Sequence, residues 1–208
     1  MPTEQIKRTA RDKLLDAALK IVRAKGYAAT NVDEICAEAG VTKGAFFHHF
    51  KSKEEWAVAA ARHWSEMTGA LFEGAPYHEP ADPFDRLIAY VEFRKEIIDG
   101  DLPEFTCLVG TMTQEVYSSH PAIRDACAAS IFGHAATLVP DIEAAMTARG
   151  IKADWTPVSL AAHTQAVLQG AFILAKATGD PAIARESVDH LKRYVEMLFA
   201  ADSNTEPQ

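Results

Sequence analysis

The sequence predicts an all-α protein of about nine helices, with a compact helical head over residues 1–53 and a larger helical body over 54–208. Three observations carry that prediction. No segment sustains the period-2 alternation of a half-buried strand. Glycines and prolines fall between apolar-periodic stretches rather than at hairpin spacing. Capping residues open those stretches, four of them between Thr9 and Ser52.

Each element follows in order. Thr9, with Asp12 three residues on, is a capping-box start. Leu15, Ala18 and Val22 then recur at helical spacing until Gly26 stops the helix. Thr30 with Asp33 repeats the signature and opens a short helix that Gly40 closes. Thr42 opens a third. Ser52 with Glu55 opens a fourth, which runs to about Glu73 before the breaker Gly74-Ala75-Pro76. Residues 76–83 hold three prolines and read as a loop. Asp82-Pro83 starts a helix ending near Gly100, with proline in the tolerated first turn. Pro103 starts one to about Tyr117. Ser119-His120-Pro121 starts one to Gly150, which Pro140 should kink or break. Thr156-Pro157 leads a helix to about Thr178. Gly179-Asp180-Pro181 leads the last, to about Ala201, and the polar tail Asp202–Gln208 is expected to fray.

The net charge of −8 divides unevenly along the 208 residues. Residues 1–53 carry ten Lys/Arg against six Asp/Glu, and residues 54–208 carry 11 against 23. A basic head on an acidic body points to an anionic partner for the head alone, although charge by itself leaves chance clustering open. No run of 18 apolar residues occurs, so no membrane span is expected. The polar N-terminus lacks the apolar core of a secretory leader. Cys36, Cys107 and Cys127 are odd in number and widely spaced. They form no CxxC pair and no disulfide framework, which fits a reducing cytoplasm.

Residues 30–50 read as helix, tight turn, helix. Gly40 stands where the chain needs positive φ. Val41 can plug the angle between the helices, against Ile35 and Phe46. The second helix of such a pair enters the DNA major groove, and its first residues reach base edges. Those residues are Thr42, Lys43, Gly44 and Ala45. The small Gly44 and Ala45 let the helix approach the groove floor, and Thr42 can cap the helix or bond a phosphate.

The run Gly26-Tyr27, Thr30, Ile35, Ala39-Gly40-Val41-Thr42-Lys43-Gly44-Ala45-Phe46-Phe47-His48-His49-Phe50, then Ser52-Lys53-Glu54-Glu55, resembles the DNA-binding domain of the TetR family over roughly residues 9–56. The resemblance implies a dimeric one-component repressor, its head on a double-stranded operator and its body holding a small-molecule effector. It implies a DNA-binding set of Thr30, Thr42, Lys43, Gly44, Ala45, Phe47, His48, His49 and Lys53. Within it, Lys43, Gly44 and Ala45 face bases, and His49 and Lys53 contact phosphates. Phe46 and Phe50 are core. Phe47 departs from the tyrosine common in the family, so a hydroxyl contact to phosphate is replaced by apolar packing. The adjacent His48 and His49 point about 100° apart on a helix and do not chelate a metal easily.

Two further readings concern the body. Ala161, Ala162, Ala166, Gly170, Ala171 and Ala175, with Leu191, Val195 and Leu198, make close-packing faces on the last two helices. The resemblance implies that these helices pair across a two-fold axis as a homodimer; intrachain core is the alternative. The middle helices carry aromatic and flexible side chains suited to an apolar pocket. The candidates are Trp64, Met67, Phe72, Phe93, Cys107, Thr111, Phe132 and His163, with Gln114, His134 and Gln169 as further polar groups; plain core is the alternative. Cys107, placed in the first turn of the helix after Pro103, would be a thiolate-favoured sulfur. Cys107-Leu108-Val109-Gly110 also resembles a stretch in electrophile-responsive branches of the family. A buried structural cysteine is the competing reading.

The chain shows no P-loop, GxGxxG, HExxH or GxSxG, hence no expected cofactor and no convergent catalytic set. The resemblance implies a ligand-released repressor, expected in the cytoplasm. A small helical enzyme, or a ligand-binding protein without specific DNA binding, is the alternative.

Overall fold

The computed structural model describes residues 8–200, so the tail at 202–208 lies outside the described residues. Among the described residues are eleven α-helices, one 3₁₀ turn at Pro76–His78 and no strand. The helices are α1 (Ala10–Lys25), α2 (Val32–Ala39), α3 (Lys43–His49), α4 (Lys53–Glu73), α5 (Pro83–Glu96), α6 (Leu102–Phe105), α7 (Leu108–Val116), α8 (Pro121–Ala136), α9 (Val139–Arg149), α10 (Pro157–Thr178) and α11 (Ala182–Ala200).

The count exceeds nine because two expected helices are split. Thr106 takes an extended conformation (φ −77°, ψ 159°), which ends α6 and leaves Cys107 between α6 and α7 rather than in the first turn of a long helix. Pro140 lies in the first turn of α9, and the chain breaks there into α8 and α9. Proline has no N–H to donate into a preceding turn, so a new helix starting at it costs no bond.

Two compact units emerge. One comprises the chain up to Met67 with Leu108–Ser130, and the other Thr68–Cys107 with Ile131 onward. The first is larger than the expected head of residues 1–53, for a packing reason. Trp56, Ala57, Ala60 and Ala61 on α4 are fully buried, and the Trp56 indole donates to the Leu14 carbonyl at 2.9 Å. With Leu14, Ala18, Val22, Ile35 and Phe46 they fill the core of that unit. The Glu115 carboxylate on α7 accepts from the backbone N–H of Tyr27 (2.6 Å) and of Ala28 (3.3 Å), satisfying donors just past the end of α1.

The second unit is built round α5, which packs on α9 and α11, while α10 packs on α11. Leu87, Tyr90 and Val91 of α5 bury with Ile142, Leu160, Leu168, Val188, Leu191 and Val195. Ion pairs rim this core: Arg86–Asp141 and Lys95–Asp189 at 2.7 Å each, and Lys192–Glu92 at 2.5 Å. Helix α10 is long and apolar enough, by length and composition, to cross a membrane, and 44% of its most apolar window is buried within the fold.

Candidate nucleic-acid interface and effector site

The turn that presents α3 is built by capping chemistry. Asn31, not Thr30, caps α2: its side chain accepts from the Glu34 N–H at 3.0 Å, and Glu34 answers the Asn31 N–H at 2.9 Å. Gly40 is left-handed (φ 63°, ψ 39°), and the Gly40 and Val41 N–H groups return to the Ala37 and Cys36 carbonyls. Thr42 then caps α3 by accepting from the Ala45 N–H at 3.2 Å. Phe46 and Phe50 are buried beneath α3, their rings 5.7 Å apart.

With Phe46 inward, helical spacing turns Lys43, Gly44, Phe47 and His48 outward, and all four are exposed. Phe47 is 50% exposed although it is a large apolar ring, with its edge toward Phe46 at 5.2 Å. Gly44 has room for a side chain: a Cβ there would meet nothing nearer than the Thr42 hydroxyl at 3.8 Å. No contact within the fold requires glycine at 44. Lys43 reaches Asp33 at 2.9 Å in an exposed ion pair, one that solvent screening keeps weak. Thr42 is exposed, while Ala45 and His49 are half-buried; the His49 ring lies 4.9 Å from that of His48. Among the described residues no group of three or more His, Cys, Asp or Glu could hold a metal ion.

Two members of the expected DNA-binding set face the fold instead. Thr30 is 2% exposed, and its hydroxyl donates to the Gly26 carbonyl at 2.7 Å. The Lys53 ammonium donates to the Tyr27 carbonyl at 2.9 Å and the Thr30 carbonyl at 2.7 Å, and lies 4.1 Å over the Tyr27 ring. Burial lowers its pKa, against the opposing pull of Glu115 and Glu34. Its geometry is that of a staple between α4 and the 27–30 turn.

The expected effector residues scatter. Trp64, Met67 and Thr111 belong to the first unit, and the other five to the second. Arg23 stacks on Trp64 at 5.2 Å, Met67 is 41% exposed and Thr111 is half-buried. Phe132 is 63% exposed. His163 is exposed too, its ring 5.0 Å from that of Tyr194. Neither lines an interior site. Cys107 is half-buried against the apolar core, Cys36 and Cys127 are buried, and the three thiols form no disulfide.

Phe72 and Phe93 are brought together, their rings 5.7 Å apart in an edge contact. Around them stand His134, one of the further polar groups expected, and side chains outside the expected set. Tyr77 lies 5.8 Å from Phe93 and 5.3 Å from Tyr90. His134 lies 4.3 Å from Phe72, and its Nε2 is 2.9 Å from the Tyr90 hydroxyl. Gln165 donates to that same hydroxyl at 3.3 Å. The Tyr90 hydroxyl and His134 Nε2 share one hydrogen bond, whose direction the imidazole tautomer sets. Burial, with the Arg94 charge adding to it, lowers the His134 pKa to about 4, so the ring is neutral at pH 7. Tyr77 is pushed up to about 12, chiefly by burial, and stays a phenol.

Arg94 completes the group. It is 9% exposed, its guanidinium lies 5.1 Å over the Phe72 ring, and its Nε is buried without a hydrogen-bond partner. Among the described residues, the Thr106 hydroxyl is the other buried side-chain atom in that condition. The signal for Arg94 was present in the sequence: Leu87, Tyr90, Val91 and Arg94 share one helical stripe, and a charge in an apolar stripe is abnormal.

Comparisons with known proteins bear on the family and the fold. Residues 14–60 match the family model described as bacterial regulatory proteins, tetR family. Residues 83–191 match that of the tetracyclin repressor-like C-terminal domain. The transcriptional regulator AcuR of Cereibacter sphaeroides is 30% identical over 107 residues, 51% of this chain and 49% of AcuR. The uncharacterised regulator YerO of Bacillus subtilis is 36% identical over 58 residues, 28% of this chain and 20% of YerO. The chain thus spans half or less of the length of these two curated relatives. A regulatory protein TetR from Rhodobacter sphaeroides superposes with a TM-score of 0.78 at 25% identity, covering 89% of this chain and 98% of that one. Reduced NemR of E. coli superposes with a TM-score of 0.73 at 24% identity over 89% and 96%.

Proposed function

This chain belongs to the TetR family of bacterial regulatory proteins, and from that premise we propose that it is a homodimeric transcriptional repressor that a small molecule releases from its operator. The observation that carries the DNA-binding part is the outward strip of α3. Lys43, Gly44 and Phe47 are exposed side by side, and nothing internal requires a glycine or an apolar ring there. Major-groove reading does. A residue without a side chain permits close approach, lysine pairs with phosphate or guanine, and an apolar ring meets sugar or a thymine methyl. Two such helices in a dimer read two half-sites one helical turn apart, which makes the operator a pseudo-palindrome.

The dimer face lies on α10 and α11, beside the expected small-residue stripe. Ala161, Ala171, Ala175, Leu191 and Val195 are consumed by intrachain packing. Exposed Val158, Ile173, Leu174, Tyr194 and Met197 supply the apolar surface, a composition typical of an interface core.

Effector binding alters operator affinity through α4, which contributes its first two-thirds to one unit and its end, with Phe72, to the other. A coupling free energy of about 1–3 kcal/mol changes DNA affinity about 5- to 150-fold. The test is selection of genomic fragments by the purified full chain at two salt concentrations. A recovered pseudo-palindrome with salt-dependent affinity is expected. Turnover of a small molecule without any sequence-selective binding would favour the enzyme alternative.

A further inference from the structure

We infer that the aromatic cluster round Arg94 in the second unit binds a small organic carboxylate, with Arg94 as the group that takes the anion. The inference rests on the effector-responsive reading above and names the chemical class of the effector. Three observations support it. First, Arg94 is more than nine-tenths buried, and its Nε is buried without a hydrogen-bond partner. Guanidinium is always charged, so burial without a hydrogen bond or an acid is costly unless a ligand supplies the partner.

Second, the neighbours are apolar or neutral. Phe72 lies under the guanidinium, and Tyr77 and Phe93 stand beside Phe72. His134 is already committed to Tyr90. The nearby acid Asp141 is held by Arg86 at 2.7 Å.

Third, Tyr77 is buried beside Phe72 and stays a phenol, and a buried phenol is a natural second donor to a carboxylate oxygen. A fork donor, a phenol and aromatic walls fit a monocarboxylate with a flat or compact apolar body. An inorganic anion would leave the walls unused, and a cation would meet Arg94.

The test uses the full chain without DNA. Acetate, butyrate and benzoate, each paired with its neutral amide, are titrated by calorimetry and thermal melting. The expected result is binding of butyrate or benzoate, with the matching amide at least 30-fold weaker. Arg94→Met should abolish that preference, and Tyr77→Phe should weaken it. Without ligand, Arg94→Met should melt about 2–4 °C higher, because an unpartnered buried charge has been removed. A structural arginine gives the opposite sign. Equal affinity for acid and amide, no binding by any acid, or retained binding in Arg94→Met overturns the inference. Operator affinity is then measured with and without benzoate or butyrate. Tight carboxylate binding that leaves DNA affinity unchanged upholds the site and overturns the effector reading. Intact operator binding with no carboxylate binding overturns the site alone.

Discussion

Replacing Lys53 with methionine separates a fold role from a DNA role. The ammonium makes two charge-assisted hydrogen bonds, to the Tyr27 and Thr30 carbonyls, at 2.9 and 2.7 Å. It also lies 4.1 Å over the Tyr27 ring. Each such bond contributes roughly 1.5–3 kcal/mol, and burial of the ammonium offsets part of it. The Tyr27 carbonyl keeps the Thr30 N–H as a partner at 3.1 Å, whereas the Thr30 carbonyl loses the Lys53 donor. The net cost should be about 2 kcal/mol, a fall in melting temperature of about 4–8 °C for a chain of this size. Thermal melting of the Lys53→Met variant measures it. In parallel, the slope of log K against log salt for DNA should stay constant, because no phosphate contact is removed. An unchanged melting temperature together with a slope reduced by about one would refute the staple and restore Lys53 to the phosphate contacts.

Other predictions follow from the same packing. His134 has a pKa of about 4 in the fold against an ordinary 6.5, so it contributes stability above pH 6.5 that is lost as the pH falls toward 4. The loss is at most about 3 kcal/mol, and pH-dependent melting of His134→Gln should lack that component of the wild-type slope; identical slopes would contradict the burial argument. Gly40→Ala should cost about 1 kcal/mol from its left-handed backbone alone, since nothing lies within 4 Å of the new Cβ; denaturant unfolding measures it, and an unchanged midpoint would contradict the strain. Ile173→Glu with Met197→Glu should shift sedimentation from dimer to monomer, while a dimer that persists would place the interface elsewhere.

Much of the fold is legible in the sequence because local chemistry dictates it. Thr9 with Asp12, the glycines at 26 and 40, and the proline-led starts of α5, α9 and α10 mark helix ends through capping and backbone freedom. The outward residues of α3 follow from helical spacing once Phe46 is placed inward. Legibility stops where tertiary contacts decide. Thr30 reads as a cap by its spacing to Asp33, yet Asn31 with Glu34 closes a better box one residue on, and the Thr30 hydroxyl turns to Gly26. Lys53 is a surface lysine by sequence and a staple by contact. Glu115 satisfies N–H groups 87 and 88 residues away, which no local pattern encodes. Size and residue type point to Phe132 and His163, which are exposed, and pass over Tyr77, Tyr90, Arg94 and Gln165. Only Arg94 carried a sequence signal, as a charge in the apolar stripe of α5.

The central claim, that the exposed strip of α3 reads DNA, is tested most directly at Gly44. A Cβ at that position meets only the Thr42 hydroxyl, at an ordinary 3.8 Å, and residue 44 is exposed, so Gly44→Leu should fold and melt like the wild type. Its affinity for the selected operator, measured by equilibrium titration, should fall at least 100-fold, toward the level of non-specific DNA. Wild-type operator affinity in a correctly folded Gly44→Leu variant would contradict the account.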